Sequence, residues 1–118
     1  MSLHVAVMGT GAAARELVET LQCLGEAVRL IQVAEDTADL GSDPAPAGVQ
    51  VMGLDQMIAL GEAVDIVFDL GDSNLRRRLR QALFASDNRH TVIAPAAVAR
   101  LVGLLAGKPA LSLTGGGY

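Results

Sequence analysis

A glycine-bearing turn near the start of the chain is the segment best suited to chemistry. Gly9 and Gly11 follow the apolar run 5–8, and Ala14 completes a G-x-G-x-x-A spacing. A buried strand, a turn without bulky side chains and a helix that begins with bare backbone N–H groups together form a pocket for a pyrophosphate. The sequence therefore predicts a dinucleotide-binding turn. Its predicted contacts are Gly9, Thr10, Gly11, Ala12 and Ala13.

An acid stands at the end of the second predicted strand. Glu35 lies about 20 residues beyond the glycine turn, the separation at which a carboxylate meets the adenosine ribose. Such a carboxylate accepts hydrogen bonds from the ribose hydroxyls and repels the additional phosphate of NADP. No Lys or Arg stands between Leu30 and Leu75. We therefore expect Glu35 to bind the ribose and NAD(H) to be favoured over NADP(H); the alternative is that Glu35 is an ordinary solvated loop acid.

The opposite wall of the pocket is predicted to follow the fourth strand. In an open α/β sheet the ligand lies beyond the carboxyl ends of the strands, where the chain reverses its direction across the sheet. This places Leu70 and Gly71 against the dinucleotide. Asp69 and Asp72 are expected to flank the pocket mouth, where unpaired negative charge opposes a pyrophosphate. Asp72 is better suited to cap the helix that follows.

The elements that must position these residues alternate between strands and helices. Strands are predicted at 4–8, 27–33, 49–52, 63–70 and 90–94, and helices at 12–24, around 55–60, at 75–85 and after Pro95. Right-handed crossovers then give a three-layer α/β domain with a parallel sheet of about five strands in the order 3-2-1-4-5. The last helix is expected to bury Val98, Leu101, Val102 and Leu105. The arginines of the third helix, at 76, 77, 78 and 80, are expected to form mostly its solvated face; the alternative is that they dock another domain or subunit.

Length and composition limit the function. The 118 residues suit one domain at 1–110 with a tail or linker at 111–118, and they leave no room for a separate substrate domain. The net charge of −4 and the run of acids between 35 and 72 argue against nucleic-acid and membrane partners. The single cysteine, Cys23, excludes an internal disulfide and suits the cytoplasm. We predict no metal site and no catalytic residue.

Four segments resemble a known class of proteins: 5–11, 33–35, 54–60 and 64–69. They are similar to the N-terminal cofactor domain of the glucose-fructose and inositol-type oxidoreductases and of homoserine and dihydrodipicolinate reductases. The strand 65–70, the charged helix after it and the closing segment 90–101 also resemble the small Rossmann-like modules found at the N-terminus of some bacterial sensor kinases and signalling proteins. The resemblance implies a Rossmann-like NAD(P)-binding domain. The inositol-type enzymes carry Glu-Lys-Pro after strand five, whereas this chain has Ile93-Ala94-Pro95 and so lacks the lysine that assists proton transfer.

Three functions remain open from the sequence. The first is an NAD(H)-binding sensory or regulatory module of a larger protein, with a second copy or a fused C-terminal domain as its partner. The second is the cofactor half of an NAD-dependent oxidoreductase. The third is a degenerate Rossmann-like domain retained for dimerisation. The missing lysine and the small size favour a module that is not itself an enzyme.

Overall fold

The structure is a computed structural model, and it describes residues 2–34 and 48–107. Within these ranges five strands form one parallel sheet in the order β3-β2-β1-β4-β5. The strands are β1 Leu3–Met8, β2 Val28–Val33, β3 Gln50–Met52, β4 Ile66–Asp69 and β5 Val92–Ala94. The predicted fold class and strand order are confirmed. The change of direction between β1 and β4 puts a crevice at the carboxyl edge of the sheet.

Four α-helices cover the described sheet. They are α1 Ala12–Gln22, α2 Leu54–Ala59, α3 Ser73–Ala85 and α4 Ala96–Leu105. Helix α1 ends before the predicted residue 24, because Gly25 takes a positive φ of 62° and begins a 3-10 turn at Gly25–Ala27. A second 3-10 turn, Gly61–Ala63, delays the start of β4 to Ile66.

The sheet is buried on both faces, as the low aromatic content and the Val- and Ala-rich strands predict. Val5 and Val7 of β1 face α1 and α4, whereas Ala6 and Met8 face α2 and α3. All four side chains are at most 2% exposed. The central strand is therefore held from both sides, and its carboxyl end is fixed in position.

Helix α4 contradicts the predicted burial pattern. It buries Ala99 and Gly103, while Leu101 is 53% exposed and Leu105 is 80% exposed. Ala99 belongs to the cluster formed by α1 and the adjoining strands. Since small residues four positions apart let a helix approach its neighbours closely, the larger side chains turn outward. The predicted burial of Val98, Leu101 and Leu105 is wrong, and Val102 is only partly buried.

Candidate functional site

The turn after β1 lies directly against the backbone that follows β4. Gly9 has a φ of +132°, and a Cβ added there would stand 2.7 Å from the carbonyl oxygen of Leu70. The N–H of Leu70 donates to the carbonyl of Met8 at 3.0 Å, and the N–H of Gly9 donates to the carbonyl of Val33 at 3.1 Å. The carboxyl ends of three neighbouring strands are thus joined at Gly9. No other residue type fits this junction without a shift of the backbone.

A buried glutamine, which the sequence analysis missed, orients the same turn. Gln32 is 5% exposed, and its Nε2 donates to the carbonyl oxygen of Gly9 at 3.2 Å. The signal is visible in the sequence, since Gln32 is a single amide in the otherwise apolar run 30–34. Buried polar side chains normally have a hydrogen-bonding partner, and here the partner is the glycine turn itself.

The first turn of α1 begins without a side-chain cap. Gly11 is the N-cap residue with ordinary extended angles, φ −76° and ψ −178°, and no side-chain cap is formed among the described residues. That turn contains no acid. A Cβ added at Gly11 would meet none of the described residues within 4 Å. The protein itself therefore does not require glycine here, and an anion can approach the amides and the positive end of the helix dipole.

A crevice of ≈ 270 Å³ opens between this turn and the start of α3. Five of the predicted contact residues line it: Gly9, Thr10, Gly11, Leu70 and Gly71. Its remaining described lining residues are Val33, Ala34, Asp72, Asn74, Leu75 and Arg78.

Two of the predicted contacts that the structure describes do not line the crevice. Ala12 and Ala13 occupy the exposed first turn of α1 beside it. Glu35 lies outside the described residues. For all eight predicted contact residues, contact with a ligand stays a prediction. They are Gly9, Thr10, Gly11, Ala12, Ala13, Glu35, Leu70 and Gly71.

The two acids expected at the pocket mouth have different surroundings. Asp72 caps α3 as predicted, with its Oδ1 accepting from the N–H of Leu75 at 2.8 Å. Asp69 does not flank the mouth: it is 3% exposed, and its Oδ2 lies 2.8 Å from Nε of Arg76. Alternation along β4 explains this, because Asp69 shares with Val67 the face covered by α3. Its Oδ1 has no hydrogen-bonding partner among the described residues.

The arginines of α3 lie mostly on its solvated face, as predicted, but they are not equivalent. Arg76 pairs with buried Asp69, and Arg78 is half-buried and lines the crevice. Arg77 and Arg80 are exposed, as predicted. The spacing could have indicated that Arg78 lies at the crevice, since Arg78 stands one helical turn beyond Asn74 on the same side of α3. Arg78 lies three residues beyond the segment 30–75, which has no Lys or Arg.

The amino edge of the sheet carries a separate polar cluster. Nε2 of His90 lies 2.6 Å from Oδ1 of Asp65, and the N–H of His4 donates to Oδ2 of Asp65 at 2.8 Å. The backbone N–H of His4 and then the His90 side chain hold the pKa of Asp65 below its ordinary 3.8. Both histidines lie away from the crevice edge, as the sequence predicted.

A larger hollow of ≈ 550 Å³ lies at this amino edge, between His4, Glu26 and Arg29. None of the predicted contact residues lines it. Within the part of the chain that the structure describes, no group of three or more His, Cys, Asp or Glu side chains is arranged to hold a metal ion. Among residues 2–34 and 48–107, no helix has the length and apolar character needed to cross a bilayer.

Comparison with known proteins places the fold. No protein-family model and no curated protein matches this chain. A Rossmann-fold NAD(P)-binding family protein from Shigella flexneri has a TM-score of 0.57 and 20% identity, with 77% of this chain and 50% of that chain covered. The oxidoreductase ylbE from Lactococcus lactis has a TM-score of 0.54 and 13% identity, covering 77% and 47%.

A third structure, a short-chain dehydrogenase/reductase from Veillonella parvula in complex with NADP, also has a TM-score of 0.54, with 14% identity and coverage of 79% and 47%. These likenesses show that the chain has a Rossmann-like fold. The chain spans about half the length of the solved structures that it matches.

Proposed function

We propose that this chain is a dinucleotide-binding domain of the NAD(P) type. The diphosphate lies against the uncapped first turn of α1, and the adenosine half extends toward Val33 and Ala34 at the end of β2. The observation that carries the proposal is the pair of glycines. Gly9 closes the backbone junction on Leu70, whereas a Cβ built at Gly11 would have no atom of the described residues within 4 Å. An open helix N-terminus over a crevice at the β1/β4 reversal suits a diphosphate.

The proposed role is binding rather than catalysis. The described residues that line the crevice include no His, Cys, Lys or Tyr to move a proton, and the carboxylate of Asp72 is engaged at the α3 cap. We therefore propose a sensory or regulatory module that acts in the cytoplasm and passes nucleotide occupancy to a second copy or to another domain. Nucleotide binding would stabilise the folded domain by mass action.

The second candidate is the cofactor half of an NAD-dependent oxidoreductase. It is favoured by the length of the fold's solved neighbours, which include an oxidoreductase and a dehydrogenase/reductase of which this chain covers only 47%. In that case the substrate-binding groups come from outside the 118 residues. NAD(H) over NADP(H) stays a prediction, because Glu35, on which it depends, lies outside the described residues.

The test is calorimetric titration of the 118-residue chain with NAD⁺, NADH and NADP⁺, using the variant Gly11→Ser. A serine at this N-cap position accepts from the same first-turn N–H groups that the diphosphate would use. We expect saturable binding by the wild type, at least tenfold weaker binding by Gly11→Ser, and an unchanged or slightly higher melting temperature for the variant. Equal binding by both proteins would contradict the placement of the diphosphate at the first turn of α1. No binding by the wild type would contradict the dinucleotide-binding function itself.

A further inference from the structure

Helix α4 differs from the other long helices in the side chains that it presents outward. The exposed side of α1 carries Arg15 and Glu19, and that of α3 carries Arg77 and Arg80. Of the 10 residues of α4, only Arg100 is charged. A helix that is apolar around most of its circumference is normally covered around most of it. Among the described residues, however, α4 is covered only on the side that meets the sheet and α1.

The exposed apolar side chains of α4 form one continuous stripe. Val98, Leu101 and Leu105 stand three and four positions apart, so they lie above one another on one side of the helix. Their exposed fractions are 37%, 53% and 80%. Leu104 is 57% exposed and adjoins Leu101 on the helix surface. Because α4 meets the sheet through its small residues, these larger side chains point away from the described core.

The edge of the sheet extends this stripe. Within the described residues β5 is an edge strand, with β4 as its neighbour. Ala94 packs in the same cluster as Ala99, so Val92, two residues earlier, points to the face that carries α4. Val92 is 59% exposed. Since α4 runs back along β5, its last turn lies toward the end of the strand where Val92 stands. We refer to the exposed apolar surface of Val92, Val98, Leu101, Leu104 and Leu105 as the α4 face.

The placement of α4 is not that of a crossover helix to a further strand beside β5. The connections from β3 to β4 and from β4 to β5 move in one direction across the sheet, and their helices α2 and α3 share one face. A right-handed connection onward from β5 in that direction would keep α4 on the same face. Helix α4 lies instead on the opposite face, with α1. A connection through α4 therefore does not account for what covers the α4 face.

The size of the α4 face suits a weak dimer. Its five side chains leave about 300–500 Å² of apolar surface uncovered by the described residues. Because roughly two-thirds of a homodimer interface is apolar, this corresponds to an interface of about 500–700 Å² per copy. A specific complex needs about 500 Å² per partner, and about 800 Å² is standard. We therefore expect a dissociation constant of about 1–100 μM, as for weak and transient complexes.

We propose that the α4 face binds the same face of a second copy of this chain. A two-fold axis is the commonest symmetry of homo-oligomers, and it brings one surface patch onto the identical patch of the other copy. An uncharged apolar face is complementary to itself and has no charge to match with an acidic or basic partner. Leu101, in the middle of the stripe, then lies near the axis. The inference goes beyond the proposed nucleotide function and does not depend on it, since no residue of the α4 face lines the crevice.

The experiment is sedimentation velocity of the whole 118-residue chain from about 1 to about 300 μM, a range that brackets the expected dissociation constant. The variant Leu101→Glu puts a charge in the middle of the α4 face. The matched control is Leu24→Glu, because Leu24 is 55% exposed against 53% for Leu101 and follows α1, outside the α4 face. Melting temperatures, taken at the lowest concentration, establish that all three proteins are folded.

We expect the wild type and Leu24→Glu to pass from monomer to dimer across this range. Leu101→Glu should stay monomeric, with a dissociation constant raised about a hundredfold or more, since the dimer would bury two like charges together. Below the dissociation constant the monomer predominates, so unfolding measured at such dilution reports on the single chain. There both variants should melt within about 2 °C of the wild type.

Disulfide cross-linking tests the position of the axis. In a Cys23→Ser background, Leu101→Cys should form a disulfide-linked dimer on mild oxidation, because equivalent residues near a two-fold axis come within reach of an S–S bond. Leu24→Cys in the same background should remain monomeric under these conditions.

Three results would overturn the proposal. The first is a wild type that stays monomeric throughout the concentration range. The second is a dimer that Leu101→Glu leaves unchanged, since it would use another surface. The third is a monomeric wild type whose melting temperature falls on Leu101→Glu but not on Leu24→Glu, which would show that the chain itself covers the stripe. Nucleotide binding is tested separately by the calorimetric titration, so its failure is distinguishable from failure of the dimer.

Discussion

Substitution of alanine at Gly9 tests the physical basis of the crevice. The φ of +132° is a region that residues with a Cβ rarely adopt, and holding alanine there costs about 1–3 kcal/mol. The added Cβ would also stand 2.7 Å from the Leu70 oxygen and 3.0 Å from the Leu70 carbonyl carbon. Both atoms are backbone, so the β1 turn must move away from β4 or strain its hydrogen bonds. Together we expect a loss of about 2–4 kcal/mol in the free energy of unfolding.

The assay is thermal and urea unfolding of Gly9→Ala beside Gly11→Ala. At roughly 4 °C per kcal/mol for a domain of this size, Gly9→Ala should melt about 8–16 °C below the wild type. The control introduces the same methyl group two residues away, where no described atom lies within 4 Å and the φ of −76° is ordinary. Gly11→Ala should therefore lose less than about 1 kcal/mol. If Gly9→Ala melts within about 2 °C of the wild type, the close junction between Gly9 and Leu70 does not exist.

Three further predictions concern the surrounding structure. Asp72→Ala removes the acceptor of the Leu75 N–H and should lower the free energy of unfolding by about 1 kcal/mol in urea titrations, while an unchanged midpoint would remove Asp72 from the cap. Because Asp65 has a lowered pKa in the folded state, its contribution to stability is complete above the unfolded pKa of 3.8 and is lost as the pH falls through the folded pKa. The gap in melting temperature between wild type and Asp65→Asn should thus narrow as the pH falls from about 6 to about 3, and a constant gap would contradict the lowered pKa. Leu79 is 0% exposed and Leu105 is 80% exposed. Leu79→Ala should therefore lower the free energy of unfolding by about 2–5 kcal/mol, and Leu105→Ser by less than about 0.5 kcal/mol. Comparable losses in urea unfolding would show that Leu105 belongs to the core.

The strand order was predictable because few physical rules govern it. Apolar runs separated by glycine turns mark the strands, and right-handed crossovers then limit how parallel strands can be arranged. Gly9 illustrates the first of these rules, since β1 ends just before it and the chain turns tightly there. The Asp72 cap was equally predictable, because capping depends on the residue itself and on its near neighbours in sequence.

Packing distance and contacts between remote segments were not predictable in this way. In α4 the pattern of large apolar residues selected Leu101 and Leu105, but the helix approaches the sheet through Ala99 and Gly103. Hydrophobicity alone does not reveal how close two elements come. The position of Arg78 at the crevice was not predictable for a related reason. Arg78 lines the crevice because of where α3 packs, and sequence neighbours do not determine that packing.

The two glycines of the turn separate the requirements of the fold from those of a ligand. Gly9 is demanded by the protein, because any side chain there meets the Leu70 backbone. A variant at Gly9 that loses nucleotide binding would therefore say nothing about the site, since the fold changes with it. Gly11 has no such demand within the described structure. A substitution at Gly11 is therefore the informative one. If it keeps the melting temperature and abolishes nucleotide binding, the crevice binds nucleotide and is not only part of a structural scaffold.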